Sequence, residues 1–169
     1  MSRINAIRII NLNYNNNTIK IDDETFDFAS ESTLMSLRNG GGKTVLVQMM
    51  MAPFVSKRNR DLKDRKFNSY FNTNPTYLLT EWQLDDGGGF LLVGMVIRKK
   101  LSSSDEDSTD ELDIYTFIHH YSKKSKYDIY NIPIIETKKD RKKSIKGYQT
   151  FKTELEDARK SLKDPLDIY

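Results

Sequence analysis

Six of the eight glycines fall in two triplets, at 40–42 and 87–89, and their flanks separate them chemically. The first is followed by Lys43 and Thr44 and then by an apolar run to Met51 broken only by Gln48. A phosphate-binding loop needs backbone N–H groups exposed by residues without side chains and a helix N-terminus with positive partial charge. It also needs a lysine for the β- and γ-phosphates and a hydroxyl for magnesium. Gly40, Gly41, Gly42, Lys43 and Thr44 supply these parts in order. The pattern G-x-x-x-x-G-K-[ST] is broken at one point, because Leu37 stands where its first glycine belongs. The competing reading is a plain strand-to-helix turn. The second triplet follows Asp85 and Asp86, which would repel phosphate, so it reads as a tight reversal between strands.

The elements around the first triplet read as a small sheet and a helix. Residues 5–11, "TIKI" and "ETFDFA" suit three short strands, and residues 32–36 a fourth. The run 44–51 is too apolar for a surface helix and predicts a buried one that stops near Pro53. Helical spacing around Leu62, Phe67 and Phe71 follows within a basic stretch. Strong β-formers at 77–84 and 90–99 flank the second triplet and predict a hairpin. Residues 102–111 contain no apolar side chain and read as a solvated loop. "LDIYTFIHHY" and "YDIYNIPII" are further strand candidates. Tyr148, Phe151, Leu155, Ala158 and Leu162 recur at three or four residues and predict a closing amphipathic helix.

At 169 residues one domain is expected. The formal charge of +3, from 27 basic and 24 acidic residues, is too small to indicate nucleic acid on its own. The chain has no cysteine, which excludes disulfides and thiolate metal sites. Its first residues lack the apolar core of a signal peptide, and no apolar run reaches membrane-spanning length. A cytoplasmic location without membrane contact is therefore expected.

"NGGGKT" after a β-rich start, with Asn39 directly before the first glycine, resembles the loop of ATPase heads in the SMC (structural maintenance of chromosomes) and RecN-like group of ABC-type ATPases. The opening "INAIRIINLNY", the hairpin pair and the final helix resemble that group's elements in order. The resemblance implies an α/β P-loop NTPase fold: the N-terminal half of a head, with a mixed sheet around the loop helix. Residues 1–146 would form the ATP-binding lobe, and the helix in 147–169 would lead towards a coiled coil. It also implies ATP and Mg²⁺ as ligands, with Asn39, Gly40, Gly41, Gly42, Lys43 and Thr44 around the phosphates and Thr44 on the metal.

No apolar strand ending in an acidic pair and no Leu-Ser-Gly-Gly-like signature occurs in the chain. ATP would be held here but cleaved only with the C-terminal half of the head, and a second head would close over the nucleotides. The roles implied are DNA segregation, repair or defence. In the resembled group an arginine shortly after the first helix reaches the nucleotide. Arg58 and Arg60 are at that distance, although such residues read first as a solvated basic face. The lysine run at 138–146 likewise reads first as solvated, with DNA phosphates as the alternative partner. His119 and His120 are adjacent, so in a strand they face opposite ways and cannot share one metal. Two alternatives stand beside the half-head: a self-contained P-loop kinase or other nucleotide-binding enzyme, and a DNA-binding module whose glycine loop is only a turn.

Overall fold

In a strand covered on both sides every position can be apolar, and residues 76–81 are buried without interruption. The computed structural model, which describes residues 2–14, 19–34, 36, 42–63, 65–100, 111–137 and 143–169, shows why. The strands are β1 (Arg3–Tyr14), β2 (Ile19–Asp27), β3 (Thr76–Gln83), β4 (Phe90–Lys99), β5 (Leu112–Tyr121), β6 (Ile135–Thr137), β7 (Lys143–Ile145) and β8 (Leu166–Ile168). The helices are α1 (Lys43–Met51) and α2 (Tyr148–Ser161). One sheet runs in the order β2-β1-β3-β4-β5-β8, and β6 and β7 pair separately. Every pairing among the described residues is antiparallel.

This overturns the expected α/β fold with a mixed sheet. A parallel pair needs a long crossover connection, whereas β3 and β4 are joined by a short turn, in which Leu84 N–H donates to Gly89 O at 2.9 Å. Gly87 and Gly89 there have φ of 75° and 78°, the left-handed conformation that the second triplet predicts. Nor does the last helix lead towards a coiled coil: α2 stops at Ser161, and the chain returns to the sheet edge as β8 beside β5.

The two faces of the sheet carry separate cores. Tyr77, Leu79, Leu92, Val96 and Phe117 pack with Phe151, Leu155 and Ala158 of α2 on one face. Ile7, Ile9, Leu78 and Met95 pack with Val45, Leu46 and Met49 of α1 on the other. The α2 contact follows the predicted spacing. The segment "YDIYNIPII" is largely turn, not strand. Asp128, 6% exposed, accepts backbone N–H bonds from Tyr130 at 3.0 Å and Asn131 at 2.8 Å, closing the chain on itself. "TIKI" and "ETFDFA" merge into the single strand β2, and the described residues of 32–36 form no strand. Around Phe67 the helical spacing yields only a 3₁₀ turn, Phe67–Tyr70. Of the solvated loop at 102–111, only Glu111 lies within the described residues. No helix is long and apolar enough to cross a membrane among the described residues.

His119 is fully buried where β5 meets the segment before β8. Its Nδ1 lies 3.0 Å from Pro165 O and its Nε2 2.7 Å from Ser125 Oγ. A carbonyl only accepts, so Nδ1 carries the proton and neutral Nε2 accepts from the serine hydroxyl. Burial lowers the pKa below its ordinary 6.5; the Pro165 hydrogen bond, Asp164 and Asp128 oppose this and His120 reinforces it. The unfolded state therefore binds the proton first. The stabilising contribution is complete above the unfolded value and is lost as pH falls towards the folded one. Urea unfolding is expected to show a lower midpoint at about pH 5.5 than at about pH 7.5, and His119→Gln to flatten that difference.

Candidate functional site

Helix α1 begins at a glycine. Gly42 is its N-cap with φ 82°, and its carbonyl accepts the Leu46 N–H at 2.9 Å. As a glycine, Gly42 makes no side-chain cap bond, and no acidic residue lies in the first turn. The first turn of a helix carries N–H groups that the helix itself does not satisfy, and its dipole favours an anion there. Lys43 and Thr44 open the helix and are both exposed. Asn39, Gly40 and Gly41 lie outside the described residues.

Thr44 and Gln48 are four residues apart and share one helix face. They line a groove of about 400 Å³ together with Lys43, Val47, Met51 and Arg60. Arg60 reaches it from the segment after the helix, where its Nε donates to Ala52 O at 3.1 Å and its guanidinium lies 5.8 Å from the Phe67 ring centre. Burial lowers the Arg60 pKa from its ordinary value. Arg58 is exposed and does not line the groove. Of the two arginines, the fold brings only Arg60 to Lys43 and Thr44.

The expected burial of α1 needs correction. Val45, Leu46, Gln48 and Met49 are buried, but Val47 is 54% and Met51 48% exposed. Leu62 borders the same groove as these two, whereas Phe54, 44% exposed, packs edge-on against Trp82 at 5.7 Å. Only one side of the helix packs with residues of β1, β3 and β4, while Val47 and Met51 face the groove they share with Val55, Asn59 and Leu62.

Other sequence candidates fall elsewhere. Gln83 and Gln149 are exposed and do not border the groove. His120 Nε2 lies 2.8 Å from Gly88 O in the β3–β4 turn. Lys146 is buried against Glu154, with Glu136 at 3.8 Å, so it is an internal ion pair and not a DNA contact. Residues 138–142 lie outside the described residues, while Lys143 is exposed on β7. Among the described residues no three His, Asp or Glu side chains gather as a metal site. The residue that motif reasoning passed over is Gln48; its signal was being the lone polar side chain in an apolar helix.

A magnesium ion would find one fitting protein ligand here, the Thr44 hydroxyl, a hard oxygen donor beside a phosphate position. Mg²⁺ characteristically keeps several waters and takes its other ligands from nucleotide phosphates. No protein-family model matches this sequence, and comparison with curated proteins gave no match.

Proposed function

We propose that this chain binds Mg-ATP at the N-terminus of α1 and serves as the N-terminal half of an SMC- or RecN-like ATPase head. The observation that carries the reading is Gly42 in the left-handed conformation as an uncapped helix start, followed at once by exposed Lys43 and Thr44. Consecutive backbone N–H groups in such a turn form an anion-binding concavity. The resemblance rests on this loop and not on the sheet, which is antiparallel.

In this reading the Lys43 ammonium and the first-turn amides hold the β- and γ-phosphates, and Thr44 Oγ1 holds the metal that screens them. Arg60 adds a second cation from across the groove. Among the described residues no carboxylate lines that groove to orient an attacking water, and in this reading hydrolysis awaits a C-terminal half. The exposed Val47 and Met51 of α1, with Leu62 lining the same groove, support a protein partner on this side. Two such heads would engage over ATP in the cytoplasm, in DNA segregation, repair or defence.

The test is calorimetric titration with Mg-ATP, with phosphate release read from the same samples. Saturable binding with negligible release is the expected result. Rapid release would identify a self-contained enzyme, and no heat at millimolar nucleotide would remove the reading.

A further inference from the structure

Gln48 occupies a position where an apolar residue would pack without cost. It is 8% exposed, and its Oε1 has no hydrogen-bond partner among the described residues. Half of its amide is therefore buried unsatisfied, a penalty that neighbours such as Val45 and Met49 do not incur. The other half is committed: Nε2 donates to Arg60 O at 2.7 Å. That bond ties the middle of α1 to the segment after it, across 12 residues of chain.

Arg60 is consequently held from three directions. Gln48 takes its carbonyl, Ala52 O accepts from its Nε, and the Phe67 ring lies beside its guanidinium. No carboxylate among the described residues neutralises it. Asp61 and Glu111 border the adjoining cleft, but Asp61 Oδ1 accepts the Phe67 N–H at 2.8 Å and Glu111 pairs with Lys100 at 3.1 Å. A half-buried arginine with a fixed Nε and no counter-charge among the described residues is suited to an anionic ligand. The groove it shares with Lys43 and Thr44 is where that anion would enter.

We propose that Gln48 is a positioning residue for this site: by holding the Arg60 backbone it aims the guanidinium at the phosphate-bearing ligand bound by Lys43 and Thr44. The choice of ligand rests on the Mg-ATP reading; the positioning itself does not. Gln48→Met keeps the length and apolar packing of the side chain and removes the donor.

The test is a double-mutant cycle with Arg60→Ala, read by Mg-ATP calorimetry beside urea unfolding. Gln48→Met is expected to weaken binding about tenfold in the native background and by less than about twofold when Arg60 is already alanine. An equal loss in both backgrounds, or none in the first, overturns the proposal. A second measurement works without nucleotide. The Arg60 Nε–H resonance, identified by its loss in Arg60→Lys, is expected to be protected from exchange in the native chain and exposed in Gln48→Met. Unchanged protection overturns the positioning role. Absence of Mg-ATP binding by the native chain would instead remove the functional reading and leave the resonance to decide the role of Gln48.

Discussion

Lys43→Ala is expected to weaken Mg-ATP binding by about 10- to 100-fold while leaving the unfolding midpoint nearly unchanged. The magnitude follows from the loss of charge-assisted hydrogen bonds to phosphate, about 1.5–3 kcal/mol, at about 1.4 kcal/mol per tenfold in affinity. Stability should move by no more than about 0.5 kcal/mol, because Lys43 is exposed at a helix end. Removing a cation from the N-terminal turn is also mildly favourable to the helix dipole. Calorimetry on native and variant chains, with urea unfolding of each, separates the two effects. Equal affinity for both would place any nucleotide elsewhere on the molecule.

Gly94→Ala is expected to be the most damaging small substitution in the sheet. Gly94 of β4 lies directly opposite Phe117 of β5. A Cβ added there would sit 2.2 Å from ring atoms Cε1 and Cζ of Phe117. The ring has little room to retreat: Phe117 is fully buried and its ring centre is 6.0 Å from that of Phe151 on α2. Phe151 is in turn packed edge-on against Tyr77 at 5.3 Å. Overpacking of this kind costs about 3 kcal/mol, which for a chain of this length lowers the melting temperature by about 6–12 °C. Adding Phe117→Leu should recover part of the loss by giving the new methyl group space. A melting temperature within about a degree of the native chain's would contradict this account of the α2 face.

The contrast between these two positions indicates what was legible. Lys43 stands out as a candidate because phosphate binding would need particular residue types at adjacent positions, and adjacency is a property of the chain. Gly94 carries no such mark. It is a lone glycine in a run of β-formers, and its reason lies 23 residues away in sequence, across the β4–β5 pairing. Glu81 is similar: within "TEWQ" it reads as an exposed strand carboxylate, yet it is 3% exposed. Its Oε1 accepts from Asn5 Nδ2 at 2.7 Å, and its Oε2 accepts from Tyr121 OH and, at 3.3 Å, from Ile129 N–H. Three segments distant in sequence satisfy that one carboxylate, and no local pattern encodes them.

Local physics accounts for the features that could be read directly. The Gly87–Gly89 reversal follows from backbone freedom, the α2 stripe from the 3.6-residue period, and the chemistry proposed for Gly42, Lys43 and Thr44 from their order. Strand order was beyond reach, because pairing depends on which distant segments bury each other's faces. The expectation of a mixed α/β sheet was carried by the family resemblance alone, and the antiparallel arrangement replaced it. The same long-range packing decided that α1 would bury only one side, that Arg60 rather than Arg58 would enter the groove, and that Gln48 would hold it there. Residue types in sequence determined what chemistry could occur at the start of α1; the sheet beneath the helix decided which side chains gather around it, since only tertiary contacts fix the direction a helix face presents.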